Sequence, residues 1–493
     1  MRKELEDLTE VLIIGGGVVG CSVARALSRY DARVCVLEAA YDVSEGCSKA
    51  NSGIVHAGYD AVPGTLKAKY NVAGARMYPA LCRELGVPYK QNGALVVAFS
   101  EADRGTLVKL LEQGNANGVE GLEIVEQDRL REMEPEIAPE AIAALHVPTS
   151  GIVSPYEMTY ALADHAAING VTFCLNTKVE SIAYDGEKWH VLTSQGEKTC
   201  DVLVNCAGYM SGVFHEAMGG EPMEIIHRRG QYYILDHPDH MPFARTMFQC
   251  PTKMGKGILV APTVHDNVLL GPTAEDIDDP LDTQTTADGL ESVLSAARLT
   301  WPKLSVRTAV TNFSGVRAHA AGGDFVVGPV AGNRHAYEAA GMESPGLSAA
   351  PAVGEALSEM IAEGEGLQHK AEWKPFPSRP KPFNEMNAEE RTAAVQTYPL
   401  HGNIICRCEV VTEQEIRDAI RRPVGATTVD GVKRRTRAGM GRCQGGFCSP
   451  RVTEILAEEL GVDMTCIRKG APGSELLCGT IQESMKGVAE DAD

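Results

Sequence analysis

Positive charge is scarce in this chain. Its 46 Lys and Arg stand against 66 Asp and Glu, a net charge of −20 at neutral pH. Nucleic acid and anionic lipid both bind through basic surfaces, so neither is expected as a general partner. No run of about 18 apolar residues exists to cross a bilayer. Membrane association is therefore expected only peripherally, through a partner protein. The opening residues MRKELEDLTEVLIIGGG lack the apolar core and cleavage site of a secretory signal. There is no internal repeat and no low-complexity tract. With 493 residues, 44% of them apolar and 23% charged, the chain has room for about three domain-sized units and a large core.

Cysteine, by contrast, is plentiful at 14 residues. Cys21, Cys35 and Cys206 sit inside apolar patterns, as reduced core thiols do, and a cytoplasmic location is expected. Cys406, Cys408, Cys443 and Cys448 read C-x-C, then 34 residues, then C-x4-C. Two close thiolate pairs joined by a foldable loop can bring four soft ligands to one centre, and such ligands select zinc, copper(I) or iron–sulfur clusters. Zinc sites more often use C-x2-C or longer pairs, which favours iron–sulfur and leaves a structural zinc knot as the alternative. The segment from Cys406 to Pro450 resembles the bacterioferritin-associated-ferredoxin-like (BFD-like) domain. That resemblance implies a small helical domain over 401–493 whose four cysteines hold a [2Fe–2S] cluster and pass electrons singly.

At the other end, residues 11–14 read as a buried strand, Val18 to Ser28 as a helix and Arg33 to Leu37 as the next strand, a βαβ unit. Gly15, Gly17 and Gly20 form G-x-G-x-x-G between strand and helix, and Glu38 closes the second strand. The glycines permit a tight turn against a pyrophosphate at the helix N-terminus, and Glu38 can accept from a ribose hydroxyl. This fingerprint does not separate FAD from NAD.

Two further stretches do. DVLVNCAG, with Ala207 and Gly208, and GMESPGLSAAPA, with Gly341, Gly346, Leu347 and Ser348, resemble the D-amino-acid-oxidase-like FAD superfamily over about residues 8–370. The resemblance implies an α/β FAD-binding Rossmann-like fold with an interleaved α+β substrate domain. A helix N-terminus in the second stretch would favour negative charge on the reduced flavin ring. CSKANSGIVHAGYD, residues 47–60, resembles the segment shared by L-2-hydroxyglutarate oxidases and anaerobic glycerol-3-phosphate dehydrogenases. Ser52 and Gly53 would then meet the flavin. His56 would lie near the substrate, as base, as donor or as a covalent flavin attachment point, unless it is a structural histidine.

Arginine grips carboxylate or phosphate with a fork that stays charged. Arg317, in SGVRA, stands where the superfamily commonly places a substrate anion-binding arginine. Arg229, in HRRGQYY, is a second candidate, with Arg228 beside it as the alternative inward residue. Lys253 and Lys256 are further candidates for a phosphate. Four prolines between Glu372 and Asn384 predict an extended linker, giving a body over 1–370, a linker over 371–400 and the cluster domain after it.

The fusion of such a body to such a cluster domain is typical of the anaerobic glycerol-3-phosphate dehydrogenase catalytic subunit. The expected activity is FAD-dependent oxidation of a small anionic secondary alcohol, first of all sn-glycerol 3-phosphate. Electrons would pass through FAD and the cluster to a partner protein or subunit. The alternatives are an L-2-hydroxyglutarate or other 2-hydroxy-acid or amino-acid dehydrogenase, and a non-catalytic electron-transfer subunit.

Overall fold

An apolar run without polar alternation, such as Val11 to Ile14, has to be covered on both faces. All four of these side chains are buried. In a computed structural model, which describes residues 8–251, 257–333 and 335–479, this run lies in β1 (Leu8–Ile14). A parallel strand flanks β1 on each side: β2 (Val34–Leu37), with Val11 opposite Val34, and Gly196–Asn205, with Val11 opposite Val202. Thr172–Cys174 continues the parallel set beyond β2, and Ala336–Ala340 pairs in parallel with the end of Gly196–Asn205. Four of these strands therefore finish at one edge of the sheet, and the chain leaves them at Gly15, Glu38, Cys206 and Gly341.

The chain divides into two compact units, one formed by residues up to Ala39 together with Val43–Ser378, the other by Ala40–Asp42 together with residues from Arg379 onward. In the first unit, α1 (Val18–Leu27) is buried at every position. It is covered by the helices Pro155–Ile168 and Gly346–Glu365. The crossing with the latter is close: a Cβ built on Gly354 would lie 2.7 to 2.8 Å from backbone and Cβ atoms of Ser22.

Two long insertions, one after β2 and one after Asn205, build a second, mostly antiparallel sheet. Its strand order runs from Glu275–Ile277 through Ile225–Leu235, Val268–Gly271, Leu259–Pro262, Thr246–Gln249, Ala94–Ala98 and Ala143–Val147 to Glu123–Glu126. Ala309–Ala320 pairs along the other side of Ile225–Leu235. Alternation divides the central strand between two cores: Ala94, Val96 and Ala98 pack on one side, while Leu95 and Val97 pack on the other, with Val293 and Leu294 of the helix Ala287–Thr300. The FAD-type and substrate-type regions are thus interleaved along the sequence, as expected.

The stretch 371–400 departs from the expected uninterrupted linker. Trp373 donates its ring N–H to Ser28 (3.0 Å), and the Lys374 N–H reaches the side chain of Asn169 (2.7 Å), so this part is docked on the first unit. Helix Ala388–Thr397 follows, opened by a reciprocal capping box between Asn387 and Glu390. No proline falls between residues 382 and 399, and the charged, alanine-containing run there has ordinary helix propensity.

The second unit packs the helices Glu413–Ile420, Val429–Thr436 and Ser449–Leu460 around Ile416, Val432, Ile455 and Leu456. Arg417 joins Glu413, Glu458 and Glu459, and Arg421 also reaches Glu459, which ties the first of these helices to the third.

Overpacking the helix crossing should be costly. Gly354→Leu is expected to lower stability by about 1–3 kcal/mol, since the clash is with backbone that cannot rotate away. A melting temperature equal to that of the parent chain would show that the helices can separate without cost.

Candidate functional site

The turn after β1 is built on atoms that glycine lacks. Gly15 has φ +106°, and a Cβ there would collide with the carbonyl of Cys206. A Cβ on Gly20 would strike the carbonyl of Gly15. Gly17 caps α1 in an extended conformation, and the Val18 N–H is held by Ser48 Oγ at 2.9 Å. Glu38 Oε2 accepts from the Gly16 N–H at 2.7 Å, so the acid at the end of β2 lies directly on the glycine turn. Ala207 and Gly208 leave the adjacent strand end, and the Ala207 N–H is held by Asn205 Oδ1 at 3.2 Å. These positions form one concave backbone surface at the carboxyl edge of a parallel sheet, the general location for a dinucleotide in such folds.

The second flavin-type element is stitched to this edge. Ser348, in the first turn of helix Gly346–Glu365, accepts from the His56 backbone N–H at 2.8 Å and donates to Ile54 C=O at 3.3 Å. The Leu347 carbonyl accepts from the hydroxyl of Tyr78 at 2.6 Å. Gly53, which follows Ser52, has φ +65°, and a Cβ there would lie 2.6 Å from the Val153 carbonyl. The His56 ring is buried between Phe248 (5.3 Å between ring centres) and Tyr59 (6.2 Å), where the sheet that carries Phe248 meets the 52–56 segment.

Arginine geometry separates the candidates. Arg317, on Ala309–Ala320, lies opposite Arg228 across the strand pair. Its Nη2 donates to Thr273 C=O at 3.0 Å and its Nε to Arg228 C=O at 3.5 Å, with no carboxylate within ion-pair distance among the described residues. The guanidinium is held in place by two main-chain carbonyls. The same strand passes both flavin-type segments: a Cβ on Gly315 would strike the Ala50 carbonyl, and one on Gly341 would lie 2.7 Å from the Ala320 Cβ.

Arg229 is placed otherwise than expected. It is buried, with Glu275 at 2.8 Å and Asp282 at 2.7 Å, so its charge is already matched. Arg228 is likewise bidentate to Asp276. The acidic run 275–279 was the signal in the sequence, because it pairs with 227–229 in antiparallel register. Lys253 and Lys256 lie outside the described residues.

One group was not foreseen. Glu343 Oε1 bridges Lys67 Nζ (2.6 Å) and His319 Nδ1 (2.7 Å). Burial works to raise its carboxyl, but the Lys67 ammonium and the hydrogen bonds from Lys67 and His319 outweigh that and hold it below the usual carboxylate range. His319 is two residues from Arg317, and Glu343 lies inside the GMESPG turn. A lone acid in that small-residue segment was the available clue.

In the second unit, the four cysteines come as two pairs. Cys408 and Cys443 have sulfurs 3.7 Å apart, and Cys406 is hydrogen-bonded by Cys448. The Cys406 thiol is brought down to about 6, chiefly by that bond and against burial, with backbone N–H groups of Gly439, Glu409 and Cys408 adding to the effect. Among the described residues, no group of three or more His, Cys, Asp or Glu converges on a single metal-ion position. Two thiolate pairs with main-chain N–H groups aimed at sulfur suit a two-iron cluster better than one tetrahedral zinc.

A model of the family described as FAD dependent oxidoreductase matches residues 10–360. The chain belongs to that family. A BFD-like [2Fe-2S] binding domain matches residues 404–458. The cofactors of this oxidoreductase are FAD and a [2Fe–2S] cluster, and the glycine cradle and paired thiolates fit them. A glycerol 3-phosphate dehydrogenase of Caloramator mitchellensis is 45% identical, covering 97% of this chain and 100% of its own. A glycerol 3-phosphate oxidase of Mycoplasma pneumoniae is 31% identical over 70% of this chain and 93% of its own. Among solved structures, dithionite-reduced L-alpha-glycerophosphate oxidase from the same organism, with FAD bound, superposes with a TM-score of 0.71 at 30% identity. That match covers 76% of this oxidoreductase and 99% of the other chain. No helix among the described residues is long and apolar enough to cross a membrane.

Purified oxidoreductase should contain about two irons and about two labile sulfides per chain. Zinc without labile sulfide would replace the cluster by a structural knot.

Proposed function

We propose that this oxidoreductase oxidises sn-glycerol 3-phosphate to dihydroxyacetone phosphate and delivers the electrons through the cluster to a partner. The observation that carries the reading is Arg317, a fixed guanidinium with no carboxylate partner among the described residues, on a strand that abuts both flavin-type segments. Such a group binds a phosphate by its fork, and the names of the two relatives agree with that ligand.

Bound FAD supplies a two-electron acceptor for the C2 hydride, and the [2Fe–2S] cluster supplies a one-electron outlet. The chain does the rest. Arg317 anchors the anionic end of the substrate and so fixes the distance from phosphate to C2. His56, buried against Phe248 and tethered through its backbone to Ser348, takes the C2 hydroxyl proton as the carbonyl forms. Glu343 and its partners hold the Gly341–Gly346 turn against the strand that carries Arg317. The apolar walls given by Tyr59 and Phe248 exclude water from the reacting carbon.

The deciding experiment is anaerobic flavin bleaching by a panel of glycerol 3-phosphate, 2-hydroxyglutarate, lactate, proline and D-amino acids. Glycerol 3-phosphate should bleach fastest. Preference for 2-hydroxyglutarate would make Arg317 a carboxylate site. With the preferred substrate, Arg317→Lys should cost about 2–4 kcal/mol in kcat/KM, because an ammonium cannot reproduce the bidentate fork. Unchanged kinetics would assign Arg317 a structural role.

The division of labour is testable separately. In a Cys443→Ser, Cys448→Ser variant, hard hydroxyls replace soft ligands. Substrate should still bleach the flavin in a single turnover, and small dyes should sustain turnover, while delivery to a protein acceptor falls steeply. Loss of FAD from this variant would make the cluster a structural element.

A further inference from the structure

Two thiols that are not cluster ligands stand face to face in the first unit. Cys35, on β2, and Cys174, on the strand Thr172–Cys174, have their sulfurs 3.7 Å apart. The register explains the meeting. Cys35 lies opposite Thr172 and Leu37 opposite Cys174, so the two cysteines are diagonal neighbours on one face of the sheet. Cys35 is buried among Leu37, Trp189 and Val191, whereas Cys174 is half-buried at the margin of that core. The pair is chemically unequal. The hydrogen bond from Cys35 lowers the Cys174 thiol against burial, and the Lys198 charge adds to the effect. The same bond and burial push the Cys35 thiol up.

The backbone beside these thiols holds the dinucleotide edge of the sheet. The Cys174 carbonyl accepts from the Glu38 N–H at 3.0 Å, and the Thr177 N–H donates to the Glu38 carbonyl at 2.8 Å. The Glu38 side chain in turn takes the Gly16 N–H. Thr172–Cys174 is the outermost strand on its side of the sheet and has three residues, so it is the partner best able to shift.

We propose that Cys35 and Cys174 form a redox-active dithiol, which small disulfides convert to an internal disulfide with a loss of grip on FAD. The Cys174 thiolate attacks one sulfur of the small disulfide, breaks its S–S bond and releases one thiolate. Cys35 gives up its proton to a released thiolate, attacks the Cys174 sulfur and expels the second thiolate. The chain is oxidised by two electrons, and the reagent leaves as two thiols that carry the two cysteine protons. An S–S bond is about 2.05 Å long, so the sulfurs have to close by more than an ångström. Diagonal neighbours start roughly 7–8 Å apart at Cα, more than an unstrained disulfide spans, so closure draws the outer strand along β2. The Cys174 carbonyl moves with it, and Glu38 loses its fixed place against the glycine turn. The effect on FAD rests on reading Glu38 as the acid beside the cofactor's ribose, whereas the thiol chemistry does not.

The test uses the holoenzyme with FAD and cluster in place, treated anaerobically with bis(2-hydroxyethyl) disulfide. This reagent is neutral, so the acidic chain does not repel it. Peptide mapping by mass after alkylation should find Cys35 cross-linked to Cys174 in the parent chain. Cys35→Ala should instead keep the reagent on Cys174 as a mixed disulfide, and Cys174→Ala should leave the buried Cys35 unmodified. Release of FAD, read as free flavin fluorescence after dilution, should be about tenfold faster in the cross-linked enzyme, the worth of one hydrogen bond, and dithiothreitol should restore the parent rate. Treated Cys174→Ala should release FAD no faster than the same variant untreated. Absence of the cross-link from the treated parent would overturn the proposal without reference to FAD, to substrate or to any variant. A complete cross-link with unchanged FAD release would overturn the link to Glu38. Faster release from treated Cys174→Ala would also overturn that link, since the exposed Cys466 and Cys478 would then be the reacting thiols.

Discussion

The meeting of the Gly15 carbonyl with α1 sets the geometry on which everything else depends. Gly20 comes so close to that carbonyl that even a methyl group is excluded, and a Cβ on Gly15 would likewise clash with the Cys206 carbonyl. Because three strand ends are forced together there, Glu38 can reach the Gly16 N–H and Ala207 comes to lie beside the turn. The helix that starts at this point is buried along its whole length, so it cannot shift to relieve a larger residue. A cofactor bound at this edge meets backbone that tertiary packing has already fixed.

The strand that carries Arg317 is fixed by a different device. One strand, Ala309–Ala320, touches the segment before Ser52 at its middle, through Gly315, and Gly341 at its end, through Ala320, both at glycine contacts. Arg317 lies between those contacts, and its guanidinium is held by carbonyl dipoles. Its neighbours on the partner strand are neutralised by Asp276, Glu275 and Asp282. Three arginines on two paired strands thus have different fates, and the difference lies in which strand supplies the acids. Strand Glu275–Ile277 pairs with residues 227–229 and not with residue 317.

That contrast shows what a sequence can carry. The βαβ opening, its glycine turn and the paired cysteines were legible because each is a local pattern with a short-range cause. Arg229 was not, because its partners are 46 and 53 residues away in sequence and only the strand register brings them to it. Lys67, His319 and Glu343 come from three separate parts of the chain and share no spacing rule. Helix Ala388–Thr397 was obscured for another reason. The prolines before it drew the whole stretch into one linker, although Asn387 and Glu390 form a local capping signal.

Glu343 has the further consequence of coupling the two ends of the site. A carboxylate this far from water is tolerated only when opposite charge and hydrogen bonds compensate it. Here a single oxygen takes both Lys67 and His319. Lys67 begins a helix whose first N–H groups are capped by Asp324, and His319 is on the strand of Arg317. The turn that carries Glu343 is therefore tied at once to the helix Leu66–Leu85 and to the strand of Arg317. Its own backbone closes the turn through the Gly346 N–H. Losing either Lys67 or His319 would remove one of the two partners of a largely enclosed carboxylate, so the turn, the strand and the helix start hold their relative positions together. The turn and the strand of Arg317 gain rigidity beside the flavin-type backbone, a condition that an arginine on a mobile loop could not meet.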